Sequence, residues 1–166
     1  FAGVRFDHPE WAFADIDPAA HCLTASRLGH PLLPDAARVG NDVEVGPQGR
    51  LLLVTGSNMS GKSTLLRAIG VNAVLAQAGA PVCAAALRMP PLAVETSGRI
   101  DDSLVEGVSF FLAELQRLQA IVAHAAAAQH SGAPRVLFLL DEILRGTNSE
   151  ERRVAVAKIV ERLLGS

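Results

Sequence analysis

The sequence predicts an α/β domain whose central sheet is mostly parallel and flanked by helices, with a short β-rich segment in front of it. Three observations carry this expectation. Apolar runs of strand length alternate with stretches of helical periodicity from about residue 43 onward. A glycine-rich loop, Gly56-Ser57-Asn58-Met59-Ser60-Gly61-Lys62-Ser63, lies between one such strand and one such helix. A continuous apolar strand, Val136 to Leu140, runs directly into two acids, Asp141 and Glu142.

Taken in order, residues 1–40 carry scattered prolines and histidines and read as short strands and loops, while 41–166 form the core. Val43 and Val45 alternate with polar neighbours, Gly46-Pro47-Gln48-Gly49 has turn chemistry, and Leu51 to Val54 reads as a buried strand. From Lys62 to about Ala78, Leu65, Leu66, Ile69 and Val74 recur at near-helical spacing, and Gly79-Ala80-Pro81 stops the helix. Leu92 to Val94, after Pro90-Pro91, is a candidate short strand. A long helix is expected from about Ser109 to His130 and a buried parallel strand over 136–140. A last helix opens on the Thr147-x-x-Glu150 capping pattern and buries Val156, Ile159, Val160, Leu163 and Leu164.

Composition narrows the function classes. The chain has 166 residues, of which 49% are hydrophobic and 19% charged, which excludes a disordered or collagenous chain and suits one domain with a core of its own. No apolar run approaches the roughly 20 residues of a membrane span, so no membrane contact is expected. A formal charge of -2 gives no general attraction to nucleic acid or anionic membrane, and any grip on nucleic acid is expected to lie elsewhere. Cys22 and Cys83 lack metal-ligand spacing and read as small buried thiols. The chain starts at Phe1 without a signal-like leader, so the expectation is a cytoplasmic segment of something longer.

The glycine-rich loop matches G-x-x-x-x-G-K-[ST], the P-loop, and with it a P-loop NTPase core. Glycines admit backbone conformations closed to other residues and let successive amides and the following helix N-terminus approach phosphate. Lys62 would neutralise the β and γ phosphates, and the Ser63 hydroxyl would ligate Mg2+. A chance match in a chain this long is on the order of one per cent. The bland reading is a glycine-rich turn, but the loop lies in the strand-to-helix context the motif demands, and Lys62 is one of only two lysines, with Lys158.

Asp141 and Glu142 fall at the carboxyl end of a strand, the edge where open α/β sheets bind ligands. Asp141 is assigned to Mg2+, directly or through a water, and Glu142 to orienting and activating the water that attacks the γ phosphate. The bland reading ends a strand in solvent.

TGSNMSGKST and LLDEILRGTNSEER resemble the phosphate loop, through Thr64, and the acidic segment of the MutS ATPase domain, a branch of the ABC-type ATPases. Leu28-Gly29-His30-Pro31-Leu32-Leu33 is similar to the family's Arg-His-Pro entry segment, with Gly29 in the arginine's place. Leu75 to Gly79 with Pro81-Val82 resembles the segment after the first helix. Asp101 to Leu104 and Gly107 to Glu114 are similar to the signature region. Ser57, Ser60, Phe110 and Leu144 stand where the family usually has proline, glycine, threonine and glycine.

The resemblance implies ATP with Mg2+ as ligand and a homodimer formed through the ATPase face, in which Ser109 reaches a γ phosphate bound by the partner's phosphate loop. An ordinary helix N-cap is the alternative for Ser109. The implied function is ATP hydrolysis to ADP and phosphate, with dimer closure coupled to DNA handling such as mismatch repair. The resemblance also implies that the chain stops before the family's switch-histidine strand and C-terminal helices, so weak hydrolysis is expected of the piece alone. A nucleotide-dependent assembly module with little turnover, or a MutS-like ATPase outside mismatch repair, is the alternative. A small-molecule kinase lacks an evident acceptor site here, and no LSGGQ-like signature supports a transporter ATPase. The histidines are expected to serve surface or packing roles rather than bind zinc. Trp11 and Phe13 read as anchors of the N-terminal strands, with stacking on a base as the alternative.

Overall fold

A computed structural model of the chain describes residues 2–97, 110–131, 134–141, 143 and 149–165. They divide into two units, Phe1–Val94 and Glu95–Ser166. The first holds α1 (Ala2–Asp7), β1 (Ala12–Phe13), β2 (Asp15–Ile16), β3 (Leu23–Leu28), β4 (Asn41–Val45), α2 (Lys62–Gln77), β5 (Pro81–Val82) and β6 (Ala86–Met89). A four-stranded sheet runs in the order β2-β6-β3-β4, and β1 pairs with β5. The β2–β6 pair is parallel, whereas β3 is antiparallel to both β4 and β6.

Side-chain alternation explains β3. Leu23 and Ala25 are buried and Thr24 is exposed, as one covered face requires. The register against β4 then shifts between Ala25 and Leu28, with Arg27 at φ 52°. The Arg27 amide donates to Asp42 Oδ1 at 2.9 Å, and the bulge returns Leu28 to the buried face. Helix α2 packs on β5 and β2 through Ala68, Ile69, Asn72, Ala73 and Ala76, largely small residues that let backbone approach backbone.

A second centre of the first unit is Arg38. Its guanidinium donates to Leu33 O at 2.7 Å and His30 O at 3.3 Å, pairs with Asp35, and lies 5.3 Å from the Trp11 ring centroid. His8 stacks on Trp11 at 4.4 Å between centroids. Trp11 is 5% exposed and therefore packs, as the sequence suggests, while Phe13 is 59% exposed and anchors little. Ligand atoms of His8, Glu10 and Asp35 lie within 4.8 Å of one another, closer than the sequence suggests, but the Arg38 cation already balances Asp35.

In the chain, β7 (Leu92–Ser97) spans the boundary between units, and α3 (Phe110–Ser131), β8 (Arg135–Leu140) and α4 (Ser149–Leu164) follow. The second unit's core gathers Ile121 and Ala125 of α3 and Leu163 of α4, with Val122, Phe138, Leu140 and Ile159 packed against them. Glu95 and His124 meet at 2.7 Å, and Arg117 donates to Thr96 O at 3.1 Å, so both side chains tie α3 to β7.

The chain is α/β; α2, α3, α4, β4, β7 and β8 fall where periodicity puts them, whereas Ala2–Asp7 is helical inside a stretch expected to hold short strands and loops. Two further expectations need correction. Leu51 to Val54 makes no strand pairing, and Leu51, Leu52 and Leu53 are 57%, 45% and 74% exposed. An apolar run becomes a strand only where another strand takes its amides and carbonyls, and among the described residues none does. The described strands form sheets of two, four and two strands rather than one mostly parallel central sheet. In β8, Leu137 and Leu139 are buried and their neighbours only partly so; a continuous apolar sequence has produced one covered face.

Gly29 shows how tightly Arg38 is seated. A Cβ there would stand 2.6 Å from Arg38 Cδ, 2.7 Å from Cγ and 3.2 Å from Cys83 Sγ. The stem cannot swing aside freely because its guanidinium is tied. Gly29→Ala is expected to cost about 1–3 kcal/mol by overpacking, measured by urea denaturation.

Candidate functional site

The loop predicted to hold phosphate begins at Gly56 and ends where α2 begins at Lys62. Ser60 N donates to Ser57 O at 3.3 Å, closing a turn whose last corner, Met59, has φ 64°. Gly61 is the N-cap residue of α2, left-handed at φ 90° and ψ 10°, and no side chain caps the helix. Its carbonyl accepts the first helical hydrogen bond, from Leu65 N at 2.9 Å. The first amides of an α-helix have no intrahelical partner and carry the positive end of its dipole. Those of Lys62, Ser63 and Thr64 are left without a side-chain cap, an arrangement that favours an anion.

Lys62 turns back over its own loop. Its Nζ donates to Gly56 O at 3.0 Å and Ser57 O at 2.6 Å. These bonds are solvent-exposed and made to neutral carbonyls, whereas a bond from an ammonium to a phosphate oxygen is charge-assisted at both ends. An arriving phosphate can thus take over the ammonium at small cost. The loop itself is open: Met59 is fully exposed, and nothing lies within 4 Å of where a Gly61 Cβ would stand. This glycine is needed for its backbone conformation and leaves space above it.

The structure brings Gly56, Ser57, Asn58, Met59, Ser60, Gly61 and Lys62 into one turn with Ser63 and Thr64 in the first turn of α2, all within the first unit. Asp141 belongs to the second unit, directly after β8, where it is partly buried and its amide donates to Ser97 O at 3.0 Å. Glu142 and Ser109 lie outside the described residues. The donors the loop offers, helix-start amides without a side-chain cap and one exposed ammonium resting on neutral carbonyls, are of the kind a triphosphate takes. Within the first unit the Ser63 hydroxyl is a hard oxygen donor, and within the second the Asp141 carboxylate is another, both of the kind Mg2+ takes.

A family model described as MutS domain V matches residues 52–166. The chain belongs to the MutS domain V family. It is 34% identical over 154 residues to the DNA mismatch repair protein Msh6 of Gallus gallus, covering 91% of this chain and 11% of that protein. It is 37% identical over 140 residues to Endonuclease MutS2 of Thermus thermophilus, covering 83% of this chain and 18% of that one. A DNA mismatch repair protein MutS of Chlorobaculum tepidum is 37% identical over 126 residues, covering 72% and 14%. The chain thus spans a tenth to a fifth of the length of these curated relatives. The phosphate loop, Asp141 and Glu142 all lie within the MutS domain V match. Among the described residues, no helix is long and apolar enough to cross a membrane.

Two features of this MutS domain V escaped the sequence reading. One is the hold of Lys62 on its own loop, for which the sequence carries no signal. The other is Asn72, which is 0% exposed. A signal for it existed: an amide stands on the helix face that carries Ile69, Ala73 and Ala76.

Because Gly61 holds φ 90°, Gly61→Ala is expected to lose about 1–2 kcal/mol of stability although no atom obstructs the methyl group. Chemical denaturation measures this loss. An Ala substitution at the neighbouring exposed Asn58 provides the reference for a change that touches the loop without forcing a left-handed backbone.

Proposed function

We propose that this domain binds Mg-ATP at the loop 56–64 and hydrolyses it to ADP and phosphate. In the protein that carries it, ATP binding would close a homodimer through the ATPase face and drive DNA handling by other domains, as in mismatch repair. The single observation that carries the reading is the Lys62 ammonium resting on the carbonyls of Gly56 and Ser57 at the open N-terminus of α2.

In this reading the amides of the loop and of the first turn of α2 bind the β and γ phosphates, and Lys62 exchanges its carbonyl partners for phosphate oxygens. Ser63 would ligate Mg2+ and Asp141 is assigned to the same ion, directly or through a water; when bound, the ion would supply positive charge for the phosphate oxygens. Glu142 orients the attacking water and takes its proton. Ser109 would complete the site of a second copy by donating to its γ phosphate. A relative named Endonuclease MutS2 at 37% identity favours a second reading, in which the same ATPase serves DNA handling other than mismatch repair.

Lys62→Ala is expected to weaken Mg-ATP binding by about 10- to 100-fold, as loss of charge-assisted hydrogen bonds implies. Calorimetric titration of the folded variant tests this, and unchanged affinity contradicts the assignment. Glu142→Gln should bind Mg-ATP as tightly as the parent while steady-state phosphate release falls by about 10²- to 10⁴-fold. Undiminished release would remove Glu142 from this role.

A further inference from the structure

Asn72 sits in the middle of α2, about 15 Å along the axis from Lys62 at a rise of roughly 1.5 Å per residue. Its carboxamide is fully engaged and 0% exposed. Nδ2 donates to Gly29 O at 2.9 Å and Ala68 O at 2.8 Å, and Oδ1 accepts from Cys83 N at 2.7 Å. Gly29 N in turn donates to Cys83 O at 2.8 Å. Three stretches of chain meet at this one amide: α2, the turn after β3, and the link between β5 and β6. From Gly29 the contacts continue through the Arg38 stem to the Trp11 ring.

Apolar burial alone does not call for an asparagine here. A leucine of similar branched shape would cover the same face, whereas a buried amide costs several kcal/mol of desolvation unless each of its groups is partnered. What the amide adds is direction. Two short hydrogen bonds, to Gly29 O and from Cys83 N, fix both the rotation of α2 and its position along its axis, and a helix of 16 residues carries that position to its first turn. We propose that Asn72 is a positioning residue for the phosphate loop, through which nucleotide occupancy at the start of α2 is also felt at the Gly29–Cys83 junction. The inference rests on the nucleotide-binding reading above, and it goes further in assigning a mechanical link from the loop to a distant junction.

Cys83 provides the probe. It is 3% exposed, and burial pushes its thiol pKa up, so attack by an aromatic disulfide reagent requires local opening. The experiment uses the full chain with Cys22→Ser, leaving Cys83 as the reactive thiol. A second variant, Val43→Cys with both native cysteines changed to serine, reports opening of the sheet away from the junction.

Saturating Mg-ATP is expected to slow labelling at Cys83 by about fivefold more than at the position 43 reference, which corrects for general stabilisation by ligand. In Asn72→Leu, shown to be folded by circular dichroism, Mg-ATP binds about fivefold more weakly and the excess protection of Cys83 vanishes. Asn72→Ser, which keeps a small polar group, should give intermediate values and serves if the leucine variant does not fold. Retention of the excess protection in the Asn72 variants overturns the inference. So does calorimetric binding of Mg-ATP to the parent without any excess at Cys83, which leaves the nucleotide reading intact. No binding to the parent overturns both.

Discussion

A helix that offers its first amides to an anion cannot have them occupied by a side-chain cap. Most helices stabilise their starts with a Ser, Thr, Asp or Asn whose oxygen takes those amides, a contribution of about 1 kcal/mol. In this chain a left-handed glycine, Gly61, stands at that position and no side chain caps α2. The stability of α2 must therefore come from its body: the small-residue face on β5 and β2, and the Asn72 amide bound to two other stretches of chain. The start of the helix is bare while its body is fastened elsewhere.

The same logic accounts for Lys62. A flexible ammonium beside a bare helix start has no acid in the first turn to pair with, and it finds the carbonyls of Gly56 and Ser57 instead. Those contacts stabilise the turn while leaving its amides facing outward. They also keep the ammonium at the mouth of the loop, where a phosphate oxygen is a stronger partner than a neutral carbonyl.

Helices α2 and α3 were legible because each combines periodicity with a stop signal: α2 ends before Gly79-Ala80-Pro81 and α3 before Pro134. The turn that opens α2 was legible for a different reason, since glycines at fixed spacing mark backbone conformations closed to other residues. The strand expected at Leu51 to Val54 was not, because hydrophobicity reports a wish for burial and cannot name the neighbour that grants it. The mostly parallel sheet failed for the same reason, since strand order is a long-range property and β2, β6, β3 and β4 are ordered by contacts far apart in sequence. Arg38 carried no signal in the sequence, yet Gly29 leaves the space that the arginine's stem fills. Only coordinates join such pairs.

Backbone-amide NMR of the full chain, titrated with Mg-ATP, tests the central claim most directly. The account predicts that the largest shifts fall on the amides of Gly61, Lys62, Ser63 and Thr64, and that they titrate together to one endpoint. Resonances of these four that stay still at saturating nucleotide, or a shift pattern centred elsewhere in the chain, would contradict it.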